Sequence, residues 1–150
     1  MSESILKTLR DEHRRAKGMI IQIENSKDIV QKKELYLQLR DELIPHMEGE
    51  ERSIYSHLIN DIHDEEAEEV AELAKEDHLK MKELLGRLDN ILIESDEWDS
   101  TFRQLCQKFR KHVKDEESAL FAEAKQDFTK DELVELGDEF HEIKQQITPY

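Results

Sequence analysis

Apolar residues recur every three or four positions along nearly the whole chain, and nowhere do they alternate strictly with polar ones. That period belongs to amphipathic helices and leaves no segment reading as a strand. Ile5, Leu9, Ala16, Ile20 and Ile23 mark a first helix from about Ser4 to Asn25. "NSKD" at 25–28 is a turn signal, with Asp28 placed to cap the next helix. Leu35, Leu39, Leu43, Ile54 and Leu58 mark that second helix from about Val30 to Leu58, and Pro45 inside it predicts a kink just before His46. "NDIHD" at 60–64 breaks the pattern. A third helix, from about Glu65 to Ile93, carries Ala67, Val70, Ala74, Met81, Leu85, Leu88 and Leu92. "ESDE" at 94–97 supplies a turn and a cap at Ser95 or Asp96; a fourth helix then runs from about Glu97 to Gln126 with Trp98, Phe102, Leu105, Phe109 and Leu120. "TKDE" at 129–132 has the spacing of a capping box and opens a shorter fifth helix bearing Leu133, Leu136, Phe140 and Ile143. The expected fold is all-α: an antiparallel up-down four-helix bundle, with a short C-terminal fifth helix across its outside or one end, in a single domain over residues 1–150.

Ionisable residues interrupt these apolar seams at matching places. The first seam reads Ile5, Leu9, His13, Ala16, Ile20, and the second Leu39, Leu43, His46, Glu50, Ile54. The third reads Ala74, His78, Met81, Leu85, and the fourth Leu105, Phe109, His112, Glu116, Leu120. Residues four apart share a helix face, so His46 with Glu50 and His112 with Glu116 point the same way. Two residues of a helical hairpin lie level when they are equidistant from its turn. The midpoint of His46 and His78 is residue 62 and that of His78 and His112 is residue 95, both inside predicted turns. The midpoint of His13 and His46 falls just past "NSKD", a few residues off at about 1.5 Å of rise each. The four histidines therefore meet near one cross-section, with Glu50 and Glu116 about one turn along. The chain also repeats itself. His13 maps onto His78 at an offset of 65, and His46, Glu50 and Glu51 map onto His112, Glu116 and Glu117 at 66, carrying Ile54 onto Leu120 and Tyr55 onto Phe121.

Six ionisable side chains inside an apolar bundle cost several kcal/mol for each charge left unpaired. Two cations would compensate, with the carboxylates bridging and the imidazoles terminal, and that donor mixture suits Fe, Mn or Zn. Other residues nearby read as structural. His57 lies two to three turns past His46 and is expected at the surface or in a turn, His63 in a turn and His141 on the fifth helix, both solvated. Tyr55 and Phe121 are expected to close one end of the core, and Cys106 to be a small buried residue. Glu12 and Asp77 adjoin His13 and His78; they could accept hydrogen bonds, but neighbours on a helix diverge by about 100°, so solvation is the default.

Composition narrows the partners. A net charge of −15 repels phosphate backbones and anionic lipid, so nucleic acid and membrane are not expected as partners. One cysteine cannot form an internal disulfide, the N-terminal stretch has no apolar signal core, and no apolar run approaches the length of a bilayer span, so a cytoplasmic location is expected.

"DEH" at 11–13, "HMEGEE" at 46–51, "EDH" at 76–78 and "HVKDEE" at 112–117 resemble the hemerythrin-like HHE cation-binding family over essentially the whole chain. The resemblance implies a non-haem di-iron centre, with His13, His46, His78 and His112 terminal and Glu50 and Glu116 bridging beside an oxo or hydroxo group. Oxygen-carrying hemerythrins place a further histidine four residues along the third helix, where this chain has Lys82. They place the last carboxylate five residues after its histidine, which would be Glu117; the internal repeat favours Glu116. Fewer histidines leave each iron an exchangeable position for O2, NO or peroxide. The expected function is binding or sensing of O2 or NO. The alternative is a di-iron enzyme or iron-handling protein that reduces peroxide or NO, with a redox partner, or donates iron for iron–sulfur repair. Repair proteins with this domain often carry a cysteine-bearing segment ahead of it, and its absence before His13 argues against full repair function.

Overall fold

The computed structural model describes residues 2–147. Seven α-helices and one π-helical turn account for nearly all of them, with no strand among the described residues. Helix α1 spans Ile5–Asn25, α2 Ile29–Arg52, α3 Ile54–Asn60, α4 Glu65–Leu88 and α5 Asp96–Asp115. A π turn over Glu116–Leu120 leads into α6 (Phe121–Asp127), and α7 covers Lys130–Gln146. The all-α bundle is as the apolar period predicts. Its helix starts are set by side chains that accept from free backbone N–H groups: Ser4, Asp28, Asp64, Ser95 and Thr129. Thr129 and Glu132 complete the capping box.

The helix boundaries differ from expectation in three places. Helix α2 continues through Pro45, and the interruption falls later, at Ser53, where φ is −120° and ψ −97°. The Ser53 hydroxyl donates to the Gly49 carbonyl at 2.6 Å, a local bond that competes with helix continuation. Helix α4 stops at Leu88 rather than running to Ile93, because the Asn90 side chain donates to the Gly86 carbonyl and turns the chain. Leu92, expected in the apolar seam, is consequently 71% exposed. The fourth helix is divided by the π turn at Glu116.

Cross-helix pairs set the register. Glu12 meets His46 and Arg15 meets Glu42, so numbering rises along α1 as it falls along α2. Arg40 meets Asp89 and Glu51 meets His78 between α2 and α4. Helix α7 lies against α1 and α2. It can do so because Gly49 presents no side chain: a Cβ there would stand 2.7 Å from the Phe140 ring.

The core divides in two. One cluster gathers Ile20, Ile23, Leu39, Leu43, Met81, Leu85, Trp98, Phe102 and Phe109, with Cys106, whose thiol burial pushes up to about 12. The other gathers Ile5, Leu9, Ile54, Leu58, Ala71, Phe121, Leu136 and Phe140. Along each seam the histidine sits where one cluster gives way to the other, so a polar layer separates two apolar ones.

Candidate metal centre

His13, His46, His78 and His112 are all buried, at 1, 5, 1 and 2% exposure, and Glu50 and Glu116 lie among them at 0 and 2%. Every ring turns its Nε2 inward. His46 and His78 Nε2 each lie 3.1 Å from one oxygen of Glu50. His13 and His112 Nε2 lie 3.1 and 3.2 Å from the two oxygens of Glu116. The rings pair across the helices, His13 with His46 at 5.0 Å between centroids and His78 with His112 at 4.8 Å. Two sets of donor atoms result, His13, His46, Glu50 and Glu116 in one and His78, His112, Glu50 and Glu116 in the other. Both carboxylates belong to both sets, which is the geometry of bridging groups.

Several inward-facing atoms, though close to one another, lack hydrogen-bond partners within the protein. His13, His46 and His112 Nε2, both oxygens of Glu50 and Oε1 of Glu116 make no hydrogen bond although all are buried. Burial and the facing Glu116 push the Glu50 carboxyl upward, whereas Glu116 is held low against burial by Glu50 and His112. Orphaned nitrogen and oxygen lone pairs converging on two points in an apolar surround fit a pair of cations of the imidazole- and carboxylate-binding type.

The outward-facing Nδ1 of each histidine is held by a carboxylate from another helix. His46 meets Glu12 at 2.8 Å, His78 meets Glu51 at 2.8 Å, His112 meets Asp77 at 3.2 Å and His13 meets Glu117 at 2.7 Å. Such partners fix the Nδ1–H tautomer, leaving Nε2 as a free donor atom, and raise its basicity. A cation stands behind each carboxylate in turn: Lys144 on Glu12, Lys82 on Glu51, Lys108 on Asp77 and Arg10, at 4.0 Å, on Glu117.

A family model for the hemerythrin HHE cation binding domain matches residues 4–147. The chain belongs to that family. A curated relative, named DNA nickase, from Nostoc sp. (strain PCC 7120 / SAG 25.82 / UTEX 2576), is 25% identical over 144 residues. That match takes in 96% of this chain and 40% of the relative, so the chain spans about two-fifths of that protein's length. No solved structure matches the chain.

In this hemerythrin-like domain the six residues singled out in the sequence all come together, and several neighbours prove closer to them than expected. Glu12 and Asp77, given solvation as their default, are mostly buried and hydrogen-bonded to histidines. The 100° divergence that turns each away from its own helix's site aims it at the histidine of the next helix. Glu117 likewise serves His13, while Glu116 takes the shared inward position. Lys82, standing where the carriers have a histidine, donates to Glu48 at 2.6 Å and Glu51 at 3.2 Å.

Tyr55 both closes the core and enters the centre. Fully buried, its hydroxyl donates to Glu116 and lies 3.4 Å from His78 Nε2. The repeat could have flagged it: its counterpart is Phe121, so the hydroxyl is what differs between the halves. His57 is partly exposed at the surface on α3, bridging Asp61 on its own chain segment and Glu139 of α7, and belongs to neither donor set. His63 and His141 are exposed, as expected.

Two cavities reach the layer. One of about 210 Å³ is lined by Glu12, His13, Asp41, His46, Phe109 and Lys144. The other, about 170 Å³ and mainly apolar, is lined by Val70, Leu73, Ala74, His112, Glu116 and Leu120.

Proposed function

We propose that this hemerythrin-like domain holds two iron ions, one on His13 and His46 and one on His78 and His112, with Glu50 and Glu116 shared, and that it binds or senses a small diatomic, O2 or NO. The observation that carries this reading is the donor count: four protein residues per position, two of them shared, with no further histidine to fill either. A ferrous pair supplies the electron density that a diatomic accepts when it binds. The protein's part is to orient four imidazoles through Nδ1, to hold the bridging carboxylates without competing hydrogen bonds, and to keep water away with Leu9, Leu43, Met81 and Phe109. The apolar cavity beside His112 and Glu116 supports access for an uncharged ligand.

The second reading is a di-iron enzyme that reduces peroxide or NO. The Tyr55 hydroxyl supports it, because a buried O–H beside Glu116 can pass a proton to a reduced product. The nicking of DNA named for the Nostoc relative belongs to a far longer protein, and a charge of −15 disfavours a phosphate backbone, so no nucleic-acid partner is proposed.

Metal analysis and optical spectroscopy test the proposal. Purified protein should carry iron, and His46→Ala should lose most of it while His57→Ala keeps it. Anaerobically reduced protein should give a spectrum with O2 or NO that reverses under vacuum. Steady consumption of peroxide or NO would favour the enzyme instead. Iron retained in full by His46→Ala would overturn the ligand assignment.

A further inference from the structure

A second group of carboxylates lies apart from the histidine layer, where the turn before α4 meets α6. Asp64, Glu123 and Asp127 each bring an oxygen within 4.8 Å of the others. Glu123 and Asp127, four apart, share a face of α6. Asp64 caps α4, one of its oxygens accepting from the Glu66 N–H. Glu123 is 7% exposed, more than nine-tenths buried, and faces its two neighbours. Its Oε2 and the Oδ2 of Asp127 are both buried without a hydrogen-bond partner. Among the described residues no lysine, arginine or histidine forms an ion pair with any of the three. The partly buried carboxylates around the histidine layer are paired: Glu12, Glu51, Asp77 and Glu117 each have a histidine and a cation. Like charges this close, with one of them buried, are unfavourable unless a proton or a cation joins them.

We infer that Asp64, Glu123 and Asp127 form a separate site for a hard divalent cation of the Ca2+ or Mn2+ type. The donors are oxygen only, which selects against the softer ions that imidazole and thiolate prefer. Three carboxylates from two segments converge on one point, and water completes such a shell. None of them belongs to the histidine layer, so the site stands whether or not that layer holds iron. Bound there, the cation clamps the start of α4 to α6, the helix that follows the π turn bearing Glu116.

Calorimetric titration of the iron-loaded protein with Ca2+, which has little affinity for imidazole, tests this, with thermal unfolding as the second readout. The wild type should bind about one Ca2+ per chain and its Tm should rise with Ca2+ concentration. Glu123→Gln and Asp127→Asn should lose both effects while keeping their iron. Asp64→Ser, which preserves a helix cap, should weaken binding without unfolding the chain. Mn2+ should compete with Ca2+, its solution electron-spin signal falling as it binds. The inference is overturned if Ca2+ and Mn2+ leave the wild type unchanged, as they would if Glu123 and Asp127 merely shared a proton. It is equally overturned if Glu123→Gln binds Ca2+ like the wild type.

Discussion

Asp77 shows how much a single side chain contributes without touching the centre. Its carboxylate holds the His112 Nδ1, and Lys108 holds the carboxylate. Replacing it by Asn keeps the shape but removes the charge that sharpens the imidazole as a donor. On the proposed di-iron reading, Asp77→Asn should weaken metal binding by about 10–100-fold, measured by competition with a chelator, while the helical circular dichroism stays as it is. Tyr55→Phe makes the two halves alike. On the same proposed reading it should leave metal content unchanged but alter the optical spectrum of an iron held by His78 and His112 and slow any proton-coupled turnover; an unchanged spectrum would show the hydroxyl to be a packing feature alone. At this scale the sequence is read well where helix geometry alone decides. His13, His46, His78 and His112 were legible because a seam position and a distance from the turn are both counted in residues. The roles of Glu12 and Asp77 were not, because they depend on which neighbouring helix stands at 100° from the seam, and one chain's periodicity does not report its neighbours.

Among the helices, the interruptions carry the consequence. An offset of 66 maps Ser53 onto Ala119, inside the π turn, so the regular ladder is lost just beyond Glu50 on one helix and from Glu116 itself on the other. π turns recur at functional sites because they reposition side chains without ending a helix. Neither break was legible: "EESAL" keeps its apolar period through the turn, and the one visible breaker, Pro45, lies inside a helix that continues past it. Helix α7 was legible through its capping box, but its seat was not, since that depends on the missing side chain of Gly49. Gly49→Ala should drive a methyl into the Phe140 ring and cost about 1–3 kcal/mol in urea unfolding. Loss of amide protection should concentrate in α7 and at His46, whose ring lies 6.0 Å from Phe140.

Taken whole, the molecule is a stack of apolar, polar and apolar layers, and its response to acid follows from the middle one. Burial alone would raise the Glu12 and Asp77 carboxyls, yet their histidine and lysine partners outweigh it and hold both at about 2. A carboxyl held below its unfolded value of 4.5, as Glu12 is, adds stability that is complete above that value and disappears as pH falls through about 2. In metal-free protein, urea midpoints should therefore drop between pH 4.5 and 2, and Glu12→Gln should flatten that slope. A midpoint independent of pH across this window would show that the outer carboxylates contribute nothing to folding.

Each imidazole is connected through one carboxylate to an amine or guanidinium at the rim, and Lys82, Lys108 and Lys144 are all partly open to solvent. Acylation of those amines would strip the balancing charge from three of the four connections. A reagent too large to enter the bundle could thus retune the electron-richness of the buried imidazoles from outside while every residue of the interior stayed in place.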